Sequence, residues 1–268
     1  MDTKALEKFA QAARRQLHEQ VAAKLDRVLK TDSAELRGKA DTLRELREQI
    51  RRTSRKAVVE RVAYTWFNRF CALRFMDVNG YNAVGVVSPA AGFTQPEILQ
   101  EAKQGVIDDD LARFVDRGAV ADLLGGRRRS SDPQGEAYRL LLVGVCNQYH
   151  ETMPFMFEQI ADYTELLLPD DLLSASSILQ DVRDALTPEA CPDVEVIGWL
   201  YQFYISEKKN EVFAALKNNR KIAAEDIPAA TQLFTPHWIV RYLVENSLGR
   251  LWLLRNGNFI TVQASQAS

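Results

Sequence analysis

The chain has 268 residues, 46% of them hydrophobic, enough to build a sizeable core in one large domain or two modest ones. No run approaches the roughly 18 consecutive apolar residues of a membrane span, and Met1-Asp2-Thr3-Lys4 leads into a charged segment unlike a signal peptide, so the expected compartment is the cytoplasm, with no membrane contact. The formal charge of −2 is uneven: residues 1–61 carry 16 basic and 10 acidic side chains, residues 62–198 carry 10 and 21, and residues 199–268 carry 8 and 5.

Residues 3–30 place Leu6, Phe9, Ala10, Ala13, Leu17, Val21, Leu25 and Val28 at helical spacing, which predicts a long amphipathic helix. Thr31-Asp32-Ser33 followed by Glu35 suits a second helix start, and Leu36, Leu43, Leu46 and Ile50 line that helix. The two can pair, so residues 1–54 read as a basic helical hairpin. Its charge admits a nucleic-acid or acidic-partner contact, with a solvated surface as the plain alternative.

From Arg55 to Val78 the apolar face widens through Val58, Val59, Val62, Trp66, Phe67, Phe70, Leu73 and Met76, the pattern of a core helix, and Asn79-Gly80 ends it. Residues 81–96, broken by Gly85, Pro89, Gly92 and Pro96, favour a loop or a small β-ribbon. Helices are expected at Glu97–Gln104 and about Asp109–Leu124, and residues 125–135 form a mobile loop or subdomain boundary. Tyr138–Tyr149, Phe155–Leu168, Ser176–Leu186 and Val194–Asn218 follow as further helices, interrupted near Pro154, Pro169, Pro188 and Pro192. Strand signals are scarce. The fold class is mainly α, with residues 55–230 as the principal helical domain.

Residues 231–254 combine Thr235 at an N-cap, Pro236 at the first helical position and an apolar stripe of Ile239, Val240, Leu243 and Val244. Such a cap needs no function, because its hydroxyl can satisfy an orphan backbone N–H.

The wider pattern adds to that reading. Phe-Thr-Pro at 234–236, with Ile239-Val240 and Leu243-Val244, resembles motif X, the segment preceding the cofactor-binding motif in adenine-specific DNA methyltransferases. Together with the blocks at Tyr64–Met76, Thr152–Glu158 and Glu195–Tyr204, the chain resembles, over residues 55–254, the N-terminal portion of the PglX family, adenine-specific methyltransferases of BREX (bacteriophage exclusion) systems. The resemblance implies S-adenosylmethionine as cofactor, with Phe234, Thr235 and Pro236 beside it, and double-stranded DNA as substrate. Other BREX defence proteins are implied as possible partners. It also implies a Rossmann-like domain after residue 254, because the 268 residues hold no Gly-rich turn after a strand and no Asp/Asn-Pro-Pro-aromatic motif. Asp132-Pro133-Gln134-Gly135 lacks the second proline and the aromatic residue and reads as a turn. The chain alone is accordingly expected to be inactive, as a truncated or split product, with residues 255–268 as a polar tail.

The other constellations read as structural. Cys71, Cys146 and Cys191 form no CxxC pair and are expected to be reduced, buried thiols. Cys146 and His150 share a helix face, but two ligands make no zinc site. His18 is expected in solvent, and His237 to serve packing or the surface. Arg127, Arg128 and Arg129 beside two glycines can reach DNA phosphates, against a solvated loop as the simpler reading. Asp108-Asp109-Asp110 mark a helix start rather than a metal site. Trp66, Trp199 and Tyr204 fit core spacing better than base stacking. Two other readings stay open beside the methyltransferase one: a stand-alone helical DNA- or protein-binding module, and a nonfunctional remnant with exposed apolar surface.

Overall fold

A computed structural model describes residues 3–31, 38–158, 163–218, 221–222, 226–231 and 233–256. Among them there is no β-strand, only an isolated antiparallel bridge between Pro89 and Pro96, so the protein is mainly α and offers no sheet for a Rossmann-like domain. No helix is long and apolar enough to cross a membrane. Two compact units are present, Met1–Asn210 and Glu211–Ser268.

The first unit is built around α1 (Thr3–Lys30) and α3 (Arg55–Val78). α1 buries Leu6, Ala10, Ala13, Leu17, Val21, Leu25 and Val28, a single stripe at steps of three and four. Each fully buried Leu or Val contributes about 1.5–3 kcal/mol relative to exposure, which outweighs the absence of acidic residues in the first turn of α1. α3 starts where the Ser54 hydroxyl accepts a hydrogen bond from Ala57 N at 3.0 Å, and it is the central core helix. Trp66, Phe67, Phe70 and Leu73 are fully enclosed, and the Trp66 indole donates to Thr164 O at 3.0 Å, so its one polar atom is satisfied. The base-stacking option for Trp66 and Tyr204 is thereby closed, since both rings have no exposed surface.

α2 (Ala40–Arg52) lies against α3 and α7 (Tyr163–Leu166), while α1 packs chiefly on α3 and α8 (Ile178–Ala185). The proposed cap at Asp32-Ser33 lies outside the described residues. α4 (Glu97–Lys103), α5 (Arg117–Leu124) and α6 (Pro133–Thr152) form a neighbouring layer, in which α5 packs on α6 and α4 touches both.

Three expectations change in this layer. The helix expected over Asp109–Leu124 is two elements, a 3-10 turn at Leu111–Arg113 and α5, because Asp116 turns its carboxylate back to accept from Ala119 N at 2.9 Å and starts α5 afresh. The Asp132–Gly135 turn is instead the start of α6: Asp132 accepts from Gly135 N at 2.9 Å, and Pro133 occupies the first turn. Finally, residues 125–132 form a connection tied into the neighbouring helices. Gly126 takes φ +70, Arg127 N and Arg128 N donate to Asp122 O at 2.9 and 3.0 Å, and Ser130 Oγ donates to Glu136 at 2.6 Å. Between Phe155 and Leu168 the described helix is α7 alone, with residues 159–162 outside the description.

α9 (Glu195–Lys217) runs through the boundary of the two units. The second unit then contains α10 (Ile227–Thr231) and α11 (His237–Val244). α11 continues through a π-helical turn at Glu245–Gly249 into helix over 250–256. At the π turn, Asn246 Nδ2 donates to Tyr242 O at 2.8 Å and Ser247 Oγ to Leu243 O at 2.6 Å. These side chains compete for carbonyls of the helix ladder, a known cause of local unwinding.

Candidate functional site

Two segments carry the residues expected to act. In the first, Leu233–Pro236 is extended and leads into α11. The helix begins one residue later than expected: Pro236 (φ −53, ψ 145) is the N-cap, its carbonyl accepts from Ile239 N at 3.0 Å and Val240 N at 3.3 Å, and no side-chain bond closes the cap. Thr235 therefore does not serve as the N-cap, because its position before proline and the extended ψ of Pro236 keep it one residue outside. Its side chain is exposed, between half-buried Phe234 and Pro236.

The helix behind this segment is unusual for its surface. No residue of α11 is buried, and Trp238, Tyr242 and Leu243 are 70%, 62% and 58% exposed. Leu248, Leu251, Trp252, Leu253 and Leu254 continue the pattern beyond the π turn. So many exposed large apolar side chains along one helix form a surface suited to burial against a partner.

In the second segment, Arg127, Arg128 and Arg129 are all exposed. Arg127 Nε donates to Asp122 Oδ1 at 2.6 Å, whereas Arg128 and Arg129 have no carboxylate partner among the described residues. The loop thus presents two unneutralised guanidinium groups on a backbone already ordered by Asp122.

The remaining candidates resolve as structure. Cys146 is fully enclosed, burial pushes its thiol up to about 12, and His150 Nδ1 is engaged with Phe157 O at 2.8 Å. Cys71 and Cys191 are also buried, free thiols raised by desolvation, Cys191 to about 11. No three-ligand metal cluster occurs among the described residues. Asp108 Oδ1 accepts from Asp110 N and Leu111 N at 2.9 and 3.2 Å, which closes the 3-10 turn, and Asp109 pairs with Arg117 at 2.8 Å. Trp199 stacks on Phe203 with ring centres 5.6 Å apart.

Two polar clusters were not foreseen. His18 is not in solvent: its Nε2 lies 3.1 Å from Glu60 Oε2, beside Arg14, which donates to both Glu60 oxygens at 3.2 and 2.9 Å. Burial opposes ionisation of Glu60, yet His18 and Arg14 outweigh it and hold its pKa down to about 2. The second centres on Asp77 near the end of α3. Its carboxylate accepts from Val86 N at 3.0 Å and from Val87 N and Ser88 N at 2.8 Å, and also from Ser88 Oγ at 2.7 Å. Glu97 accepts from Gly85 N at 2.8 Å, and buried Tyr138 donates to Val86 O at 2.9 Å. These acceptors satisfy the backbone of a loop that has no ladder of its own.

Fold and sites together define a helical module carrying an exposed, largely apolar helix near its end. No family model matches the chain. It is 46% identical over 204 residues to the adenine-specific methyltransferase BrxX of Escherichia coli O9:H4 (strain HS), covering 74% of this chain and 16% of that protein. It is 35% identical over 288 aligned positions to the adenine-specific methyltransferase PglX of Lacticaseibacillus casei (strain Zhang), covering 94% of this chain and 23% of that protein. The chain belongs to this BrxX and PglX family of adenine-specific methyltransferases, as an N-terminal PglX-like portion. It spans about a sixth to a quarter of the length of these relatives.

Proposed function

We propose that the chain is the helical N-terminal part of an S-adenosylmethionine-dependent DNA adenine-N6 methyltransferase of a BREX phage-defence system. The observation that carries this reading is the 35% identity to PglX along 94% of the chain. On this reading Phe234, Thr235 and Pro236 form one wall of the cofactor pocket, and α11 with its continuation packs within the methyltransferase core. Arg128 and Arg129, aligned by the Arg127–Asp122 pair, contact phosphates of double-stranded DNA. The groups that hold the flipped adenine and the cofactor ribose come from the rest of the protein, so methyl transfer is a property of the whole and the isolated chain is inactive. The helical unit also offers surface to other BREX defence proteins.

The test is cofactor titration of the whole methyltransferase carrying Phe234→Ala. Its affinity for S-adenosylmethionine should fall at least about tenfold, or roughly 1.4 kcal/mol, with the melting temperature of the cofactor-free protein unchanged. An unchanged dissociation constant would remove Phe234 from the pocket wall.

A further inference from the structure

We infer that the corner formed by α2 and the start of α3 is a second, sequence-independent docking surface for the phosphate backbone of double-stranded DNA, centred on Arg47, Arg51 and Lys56. The inference rests on the proposed DNA methyltransferase function and locates a contact that function does not specify.

The corner concentrates charge. Residues 44–56 contain Arg44, Arg47, Arg51, Arg52, Arg55 and Lys56 against Glu45 and Glu48, a net +4 within a chain of net −2. The structure keeps these cations outward. α2 turns Leu46 into the core and leaves Arg44, Arg47 and Arg51 at steps of three and four on a single stripe, and residues 51–56 are exposed without a break. Their pairing is also graded. Arg44 is held by Asp41 at 2.5 Å, Arg52 by Glu48 at 2.5 Å, and Arg55 by Asp26. Arg47, Arg51 and Lys56 have no acidic partner among the described residues. The nearby carboxylate of Glu60 is already committed to Arg14 and His18, so it does not neutralise the corner.

The composition of the corner selects its partner. Among the described residues, the first large apolar side chain to stand exposed is Tyr81, so the corner displays charge with no aromatic or aliphatic anchor. A protein interface concentrates its energy in buried aromatic and apolar anchors, and a membrane-surface helix needs an apolar face free to enter the lipid. The apolar face of α2 is spent on α3 and α7. A regular polyanion needs neither: it is held by cations spaced along a rigid element, and affinity comes from counterion release. α2 spaces the unpaired Arg47 and Arg51 about 6 Å apart at 1.5 Å rise per residue, within reach of successive phosphates of one strand.

The experiment measures binding of the 268-residue chain to a labelled duplex of arbitrary sequence between about 50 and 200 mM salt. The chain should bind at the low end, and the log of its affinity should fall linearly with log salt. Arg47→Glu/Arg51→Glu/Lys56→Glu should weaken binding at low salt at least about tenfold and reduce the slope by about 2.7, at 0.9 per phosphate lost. The milder Arg47→Gln/Arg51→Gln/Lys56→Gln variant should move both quantities the same way. Both should keep the wild-type melting temperature, since none of the three side chains packs in the core. Unchanged affinity and slope in both variants overturns the inference. So does a wild-type chain that binds poly-glutamate but no duplex at low salt, which would make the corner a protein-docking surface. Neither result touches the cofactor affinity of Phe234→Ala, so failure here is distinguishable from failure of the methyltransferase reading.

Discussion

Glu60 is the residue whose ionisation most clearly supports the fold. It lies on α3, its side chain is 20% exposed, and Arg14 and His18 reach it from α1, so its charge joins the two longest helices of the first unit. Its folded pKa of about 2 lies below the ordinary value of 4.5. A depressed carboxylate stabilises fully above the unfolded value and loses that contribution as pH falls through the window from about 4.5 to about 2. Two and a half pKa units correspond to roughly 3 kcal/mol. Glu60→Gln, which mimics the protonated group, should therefore lower the urea midpoint of the chain at pH 7, and the gap from wild type should close steadily below about pH 4. A gap that stays constant down to pH 3 would mean that packing, and not charge, accounts for the loss. Asp77 works differently: it supports local backbone, because its carboxylate supplies acceptors to Val86, Val87 and Ser88 where no strand or helix does so.

At the scale of elements, the 3-10 turn and the residues just after it pack on α6 at Gly144. A methyl group placed there would lie 2.1 Å from Val115 Cγ2 and 3.2 Å from Phe114 O. Ala favours a helix interior over Gly by about 1 kcal/mol, but the overlap forces a shift in a packed layer that typically costs 1–3 kcal/mol. Gly144→Ala should accordingly destabilise the chain by up to about 2 kcal/mol in urea unfolding. Adding Val115→Ala, which removes the obstructing methyl, should recover part of the loss, and strict additivity of the two changes would refute the contact. This contact also marks the limit of what periodicity can tell. The stripe from Leu6 to Val28 and the aromatic face from Trp66 to Leu73 were legible because a helix repeats its own buried face. The break at Asp116 was not, because one side-chain acceptor ends a pattern whose apolar spacing continues. The place of His18 is hidden for a related reason: its partner Glu60 stands 42 positions away, and helical phase says nothing about which polar face meets another helix. The candidate site is the reverse case. Phe234–Pro236 is visible locally only as a helix start, and its pattern points to a cap one residue before the true one at Pro236. Its connection with a cofactor comes from family resemblance alone.

For the whole molecule, the two units differ in how they satisfy their apolar residues. The first encloses most of its large side chains around α3, whereas α11, its continuation and the preceding Leu233 leave eleven large apolar side chains exposed among the described residues. A contiguous apolar surface beyond a few hundred Å² is unusual on a monomer in water and favours association, and each Leu withdrawn from solvent gains about 1.5–3 kcal/mol. The chain by itself should therefore bind a hydrophobic dye and self-associate with rising concentration in light scattering. Leu243→Glu/Leu251→Glu/Leu254→Glu removes apolar surface from positions 58%, 52% and 75% exposed, so it should suppress both effects while the melting temperature of the first unit stays the same. Limited proteolysis should agree, cutting first within residues 233–256 and leaving a resistant core that ends near Asn210. A wild-type chain that stays monomeric and dye-silent at high concentration would show that this helix is stable in water as it stands. On the proposed reading, the same surface should be silent in the whole methyltransferase, where α11 and its continuation are expected to pack inside the protein.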